Sequence, residues 1–132
     1  MDLSNAIKIA KDVRKNVYSP YGKYYVGAAL MAKSGKIYSG CNIENHGIMS
    51  VCAERVAFLK AISEGEHDFE YIVVCGGPDI GILEECLPCG YCRQFMSEFV
   101  SSDFKIYGLL SDDTVSTYSI SDLLPHSFSL MK

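Results

Sequence analysis

Three cysteines and one glutamate have the types and the spacing of a catalytic metal site. Cys52 and Glu54 are two residues apart, and Cys89 and Cys92 follow at a spacing of three within the segment Pro88-Cys89-Gly90-Tyr91-Cys92. Three thiolates can hold a zinc ion and leave its fourth coordination position open, as catalytic zinc sites do. A carboxylate that does not bind the metal can then move protons during hydrolysis. The pattern therefore predicts a zinc-dependent hydrolytic enzyme.

Two helices must position these side chains. Apolar residues at helical spacing predict helices over 50–63 and 89–100, and Val56, Leu59 and Ile62 are expected to form the buried stripe of the first helix. Each cysteine group then lies in the first turn of its helix. There the backbone N–H groups and the positive end of the helix dipole favour a thiolate over a thiol.

The second cysteine pair is suited to chelation. Cys89 and Cys92 share one face of a helix, and Pro88 fits a helix start, where a missing N–H costs little. If the two helices pack side by side, Cys52 supplies the third sulfur. Glu54 then lies close to a zinc-bound water, whose pKa the metal would lower from 15.7 to roughly 7.

Two arginines follow the cysteines directly. Three thiolates donate strongly and would weaken zinc as a Lewis acid, so a nearby cation is useful. Arg55 and, less directly, Arg93 could donate hydrogen bonds to sulfur and tune the charge of the site. The alternative for both is an exposed helix charge or a salt bridge. We expect the charge-tuning role for Arg55.

The cysteine pair alone leaves other functions open. A C-x-x-C segment also occurs in structural zinc sites and in thiol redox pairs. The glutamate beside the third cysteine favours catalysis, and no further cysteine or histidine is spaced to close the site. His46, His67 and His126 belong to no ligand-spaced pair. The three remaining cysteines are expected to be small, buried or half-buried apolar residues; they are Cys41, Cys75 and Cys86.

Helices and strands alternate along the chain. A first helix is predicted over 3–17. The predicted strands are 26–32, 37–41, 69–75, 105–110 and 115–119. Segment 69–75 is β-branched and apolar enough for a central strand, and a loop is expected from there to Pro88. This alternation predicts a layered α/β domain.

The composition excludes several classes of protein. The chain has 132 residues, 48% hydrophobic and 21% charged, with a net charge of −4. That is enough for one folded domain, expected to span 1–132, and disorder is not expected. The 12 Lys and Arg residues form no run longer than two, which argues against a polynucleotide partner.

The sequence also bears on the compartment. Residues 1–16 are too charged for a signal peptide, and the longest apolar run, 26–32, is too short to cross a bilayer. Six cysteines without a signal favour metal binding or catalysis over disulfides. We therefore expect a cytoplasmic protein that acts on a small molecule and has no membrane partner.

Over nearly its whole length the chain resembles the small cytidine deaminases in which three cysteines bind zinc. A C-x-E followed by P-C-x-x-C is the signature of zinc deaminases. The matching segments are Tyr18-Ser19-Pro20-Tyr21, Val26-Gly27-Ala28-Ala29-Leu30, Gly40-Cys41-Asn42-Ile43-Glu44-Asn45, Cys52-Ala53-Glu54-Arg55, Pro88-Cys89-Gly90-Tyr91-Cys92-Arg93-Gln94 and Leu123-Leu124-Pro125-His126-Ser127-Phe128.

The resemblance implies a fold and a reaction. The fold is a three-layer α/β/α arrangement with a mixed five-stranded sheet, in a homotetramer with shared active sites. Cys52, Cys89 and Cys92 would bind one zinc ion per chain. Glu54 would take a proton from water, deliver one to ring N3 and later protonate the leaving amine. Hydroxide would attack C4 of cytidine or deoxycytidine, releasing ammonia in pyrimidine salvage.

The resemblance also implies a substrate site. Asn42 and Glu44 would hold the ribose 3′-hydroxyl, the backbone of Ala53 would contact the base, and Phe128 of another subunit would cover it. Tyr24 stands where the family usually has a phenylalanine that stacks near the pyrimidine, and its hydroxyl needs a partner. From the residues alone, a turn-forming Asn42 with a solvated Glu44 is slightly favoured over a sugar site, and Phe128 is more often a tail residue packed on the core.

One segment departs from the family. Residues 45–51 are one residue shorter than usual and lack an aromatic that contributes to the pocket and the subunit contact, so ring selectivity is open. His46 could line the altered pocket, although a turn before Gly47 is the favoured interpretation. The alternatives are a deaminase of a blasticidin-type or modified aminopyrimidine nucleoside and a non-catalytic, zinc-stabilised binding module. A polynucleotide-editing deaminase is disfavoured because a basic groove is lacking.

Overall fold

The computed structural model describes residues 2–46, 50–112 and 114–130. Secondary structure begins with a helix that ends in a 3₁₀ turn, Arg14–Asn16. The helices are α1 (Ser4–Val13), α2 (Ala53–Ser63), α3 (Gly90–Ser97) and α4 (Ile120–Leu123), and the strands are β1 (Tyr25–Ala32), β2 (Ile37–Cys41), β3 (Phe69–Asp79), β4 (Ile82–Glu84), β5 (Lys105–Leu109) and β6 (Val115–Ser119). Among these described helices, none has the length and apolarity needed to span a bilayer.

The sheet is mixed, and its main path has five strands in the order β2-β1-β3-β5-β6. β3 pairs antiparallel with β1 and parallel with β5, while the two outer pairs are antiparallel. The short strand β4 lies off this path and pairs with the end of β3. The predicted mixed five-stranded sheet is therefore confirmed, with β4 as an addition.

The central strand β3 shows why there are three layers. Its side chains alternate between the faces of the sheet. Tyr71 and Val73 join a buried cluster with Ala10 of α1, whereas Ile72 and Val74 belong to the cluster that includes α2 and α3. Because both faces of the strand are buried from Tyr71 to Cys75, this part of the strand is apolar. The structure thus confirms the predicted α/β/α layers.

Helix α2 differs from its prediction in both its start and its buried face. It begins at Ala53 rather than at residue 50, and its buried apolar residues are Ala53, Ala57, Phe58 and Ala61. The predicted stripe was wrong, because Leu59 is 48% exposed. The cause is a close approach to β2: a Cβ added at Gly40 would lie 2.6 Å from the backbone nitrogen of Ala57. Only small side chains fit beneath a helix at this distance.

The segment after the central strand is also more ordered than predicted. β3 continues to Asp79 instead of ending near residue 75, and β4 follows in the expected loop. Arg14, which is buried, explains the hairpin. Its guanidinium donates to the carbonyl oxygens of Tyr25 at 2.8 Å, Asp79 at 2.7 Å, Ile80 at 3.0 Å and Ile82 at 3.1 Å. These bonds tie the hairpin to the end of α1.

Replacing Gly40 by alanine should destabilise the fold by about 1–3 kcal/mol, the usual cost of overpacking a core. The new methyl group would meet the backbone of Ala53 and Ala57, which cannot move without displacing α2. Thermal unfolding followed by circular dichroism gives the change. Gly81→Ala is the matched control, because its nearest contact would be an ordinary 3.9 Å. Equal melting temperatures for the two variants would contradict the close approach.

Candidate active site

The three predicted sulfur ligands come together in the structure. The Sγ atoms of Cys52 and Cys89 are 3.7 Å apart, those of Cys89 and Cys92 are 3.4 Å apart, and all three lie within 4.8 Å of one another. Zinc–sulfur bonds of about 2.3 Å at tetrahedral angles separate two sulfurs by roughly 3.8 Å. The donor atoms therefore fit a zinc ion almost without rearrangement.

The start of each helix explains this convergence. Cys52 and Cys89 are the N-cap residues of α2 and α3, both with extended backbone, and neither side chain caps its own helix. Their carbonyl oxygens accept the first bonds of the helices, from Val56 at 3.1 Å and from Arg93 at 2.9 Å. Cys92 lies one turn into α3 and is fully buried. The sulfurs of Cys52 and Cys89 are thus available to contact Cys92 and to bind a metal.

The sulfur cluster favours negative charge at Cys52. Hydrogen bonds from the Cys92 thiol, the Arg55 guanidinium and Cys89 lower the pKa of Cys52 to about 5. The pKa of Cys92 rises because of its bond with Cys52 and its burial. Arg55 places Nη2 3.8 Å from Cys52 Sγ and 3.3 Å from the Ser50 carbonyl oxygen. This contact supports the predicted charge-tuning role.

Arg93 binds backbone carbonyl oxygens. Its guanidinium donates to the carbonyl oxygens of Pro88 at 2.6 Å and Leu123 at 3.0 Å. These bonds connect the start of α3 to the end of α4. The second arginine therefore secures the chain around the site, while Arg55 contacts sulfur.

Glu54 lies in the first turn of α2 and is only 3% exposed. Burial raises the pKa of its carboxyl to about 7, and the charge of Cys52 adds to this effect. A carboxyl with that pKa can give and take a proton near neutral pH, as a general acid and base must. Its position beside the three sulfurs agrees with the role expected from the sequence.

Asn42 directly follows β2, and its side chain bonds the start of β1. Its Nδ2 donates to the Tyr24 carbonyl oxygen at 2.9 Å, and its Oδ1 accepts from the Val26 N–H at 2.8 Å. A side-chain amide has two N–H donors and two acceptor lone pairs. Asn42 can therefore hold the start of β1 and still offer one donor and one acceptor to a ligand.

Glu44 is not simply a solvated carboxylate, because both of its oxygens accept hydrogen bonds from the backbone. Oε1 accepts from the backbone N–H of Tyr21 at 2.9 Å and of Gly22 at 3.2 Å, and Oε2 accepts from Gly22 at 3.1 Å. The bond from Tyr21 is the largest cause of a lowered pKa, with further bonds from Gly22 and Ser19. Glu44 is thus ionised at neutral pH and organises the turn that precedes Tyr24.

The hydroxyl of Tyr24 has a partner that the sequence did not indicate. It donates to Glu84 Oε2 at 3.2 Å. Burial and the adjacent Cys86 raise the pKa of Tyr24, and burial raises that of Cys86 to about 12. Cys86 also interacts with Glu54. Glu84 ends the unpredicted strand β4, and Cys86 follows two residues later. The sequence offered one sign of this arrangement, two acidic residues before a cysteine.

The remaining substrate-site candidates differ in exposure. Ala53 is fully buried at the start of α2, whereas Phe128 is 68% exposed. Gln94 binds the backbone of Phe128 on both sides, with bonds of 2.7 Å to its carbonyl oxygen and 3.2 Å from its N–H. This exposure argues against Phe128 as a tail residue packed on the core of its own chain.

The shortened segment 45–51 is described at its ends. His46 is exposed in a turn with a positive φ of 35°, which agrees with the favoured interpretation. Gly47, Ile48 and Met49 lie outside the described residues. Cys41 and Cys75 are buried and Cys86 is half-buried, as expected of small apolar side chains.

Comparisons with known proteins agree with this site. The family model described as cytidine and deoxycytidylate deaminase zinc-binding region matches residues 1–107. A cytidine deaminase from Sporosarcina psychrophila is 39% identical over 130 residues, which are 98% of this chain and 93% of that protein. A blasticidin-S deaminase from Bacillus cereus is 33% identical over 112 residues, 81% of this chain and 79% of that protein.

A solved structure has the same fold. The crystal structure of cytidine deaminase from Burkholderia pseudomallei matches with a TM-score of 0.85 at 34% identity, covering 97% of this chain and 100% of that chain. Because the family model covers most of the sequence and the similarity extends over nearly the whole fold, the chain belongs to the zinc-dependent cytidine and deoxycytidylate deaminase family.

Proposed function

We propose that this chain hydrolyses cytidine and deoxycytidine to uridine and deoxyuridine and releases ammonia, as a salvage enzyme with one zinc ion per chain. The proposal rests on buried Glu54, which interacts electrostatically with Cys52 and Cys92, two of the three cysteines whose sulfurs lie at zinc-binding distances. A structural zinc site has no need of a buried carboxyl that changes its protonation state near pH 7. The cytidine deaminases among its relatives support the choice of substrate.

The reaction divides between the metal and Glu54. Cys52, Cys89 and Cys92 would hold the zinc ion, which would make water a nucleophile at neutral pH. Glu54 would accept one proton from water and deliver it to ring N3, and would then take the second proton from the hydroxyl added at C4 and pass it to the amine, which leaves as ammonia. Its raised pKa suits this exchange. Arg55 offsets part of the negative charge of the thiolates through its contact with Cys52.

The sugar site rests on the residues around β1 and β2. Asn42 and Glu44 bind the ribose 3′-hydroxyl, with Glu44 as a constantly ionised acceptor. The Ala53 backbone contacts the base, and the ring of Tyr24 stacks near the pyrimidine. The hydrogen bond from its hydroxyl to Glu84 orients that ring.

Assembly belongs to the same proposal. Residues 1–132 act as a single domain within a cytoplasmic homotetramer, and Phe128 reaches the pocket of a neighbouring subunit. The support is that Phe128 is exposed while its backbone is held in place by Gln94. No polynucleotide or membrane partner is involved.

Cytidine turnover with about one zinc per chain is the expected result of the direct test. Loss of the ultraviolet absorbance of cytidine should be matched by equimolar ammonia, with zinc measured on the same sample. Removing zinc with a chelator should abolish turnover, and adding zinc should restore it. Full zinc content without turnover would contradict the substrate. Deamination that survives zinc removal or Cys52→Ser would contradict the role of the metal.

Glu54→Gln should lower kcat by roughly 10²–10⁴-fold, because the amide cannot transfer the protons. Zinc content and melting temperature should stay near those of the parent, since the amide has the same shape. Glu70→Gln is a matched control on an exposed carboxylate at the start of β3, and it should leave kcat unchanged. An active Glu54→Gln variant, or one that loses zinc, would show that Glu54 has another role.

Glu44→Ala should reduce kcat/KM for cytidine by about 10–100-fold, the value of a hydrogen bond to a charged group. The loss should be much smaller for 3′-deoxycytidine, which has no 3′-hydroxyl to bind. Steady-state kinetics with both substrates separates the two roles of Glu44. Equal losses on both substrates would mean that Glu44 only supports the turn at Tyr21 and Gly22.

A second substrate class is favoured by one specific observation, the relative that is a blasticidin-S deaminase. That protein's similarity covers 81% of this chain, and the segment 45–51 departs from the usual cytidine deaminase pattern. If cytidine is not turned over, the same ammonia assay with blasticidin S and modified aminopyrimidine nucleosides distinguishes this class from a non-catalytic binding module.

A further inference from the structure

Tyr91 lies between the sulfur ligands Cys89 and Cys92 and contacts Arg55. Its ring lies against Arg55, with the guanidinium carbon 4.1 Å from the ring centroid. The side chain is 66% exposed, so the ring covers Arg55 on one side while the other side remains accessible. A guanidinium at this distance from an aromatic face is attracted by the ring quadrupole.

The hydrogen bonds of Arg55 with Ser50 and Cys52 are long, and Cys92 is a further partner. Nη2 divides its bonding between the Ser50 carbonyl oxygen at 3.3 Å and Cys52 Sγ at 3.8 Å, which are both long contacts. Among the residues that the structure describes, Nε of Arg55 is buried without a hydrogen-bond partner. A guanidinium so poorly bonded gains hydration by turning outward. The sulfurs of Cys52 and Cys92 oppose that motion in part, and the ring of Tyr91 is placed to oppose it further.

We propose that Tyr91 is the positioning residue that keeps the Arg55 guanidinium beside Cys52 and thereby strengthens the binding of zinc. Three thiolates and one zinc ion carry a net charge of −1, and a cation held nearby stabilises that charge. The aromatic face of Tyr91, rather than its hydroxyl, provides the attraction. The inference rests on the proposed zinc-dependent function, and it concerns the affinity for the metal rather than the reaction.

Three substitutions at Tyr91 separate these contributions. Tyr91→Ala should weaken zinc binding by about three- to tenfold, which is the range of a partly buried cation–π contact. Tyr91→Phe should stay within about twofold of the parent because it keeps the aromatic face. Tyr91→Leu keeps apolar cover without the quadrupole and should resemble the alanine variant. The dissociation constant is measured by competition with a chromophoric zinc chelator.

A double-mutant cycle tests whether Tyr91 acts through Arg55. In an Arg55→Gln background, Tyr91→Ala should change zinc affinity by less than about twofold, because the cation that the ring holds is gone. The same loss in both backgrounds would overturn the proposal, as would a leucine variant that matches phenylalanine. If Tyr91→Ala does not fold, the comparison of Tyr91→Leu with Tyr91→Phe still decides the matter.

The zinc measurement keeps this proposal distinct from the proposed activity. A protein that shows the expected series of zinc affinities but does not deaminate cytidine would refute the substrate and retain the role of Tyr91. A protein that turns over cytidine, with zinc affinity insensitive to every Tyr91 variant, would refute the role of Tyr91 alone. Melting temperatures of the metal-loaded variants show whether any loss reflects general unfolding.

Discussion

The convergence of the first turns of α2 and α3 is the constraint on which the site depends. Cys52 and Cys89 are the N-cap residues of these helices, so the extended backbone at each cap sets where its sulfur lies. Cys92 follows one turn later on the same face as Cys89. The separation of 3.7 Å between the Cys52 and Cys89 sulfurs requires both helices to be held in fixed positions against the sheet.

Packing on the sheet sets those positions. Ala53, Ala57 and Ala61 repeat every four residues along α2 and bring its backbone against β2 at Gly40. Phe58 then fills the space between α2 and α3, with its ring 6.3 Å from that of Phe95. Small residues thus bring the helix close to the sheet, and one large residue sets the distance between the helices. The placement of the Glu54 carboxyl follows from both.

The features predicted from the sequence are those that depend on local patterns. The sulfur spacing and the apolar central strand of residues 69–75 are visible in short segments, and the structure agrees with them, whereas the start of α2 was placed three residues too early. The buried face of α2 was predicted wrongly because it depends on the close contact between Gly40 of β2 and the helix backbone. That contact joins residues far apart in sequence and is not visible in a local pattern. The β4 hairpin was missed for the same reason, since Arg14 holds it through carbonyl oxygens 63 to 68 residues away.

The two carboxylates near the site show how environment assigns different chemistry to one residue type. Glu54 is buried, and burial raises its pKa to about 7. Glu44 accepts backbone N–H bonds from Tyr21 and Gly22, which lower its pKa. A group that exchanges protons needs a pKa near the working pH, whereas a group that binds a hydroxyl needs a constant charge. Exchanging the two environments would remove both functions, because Glu44 is positioned by its turn and Glu54 by the helix that also holds Cys52.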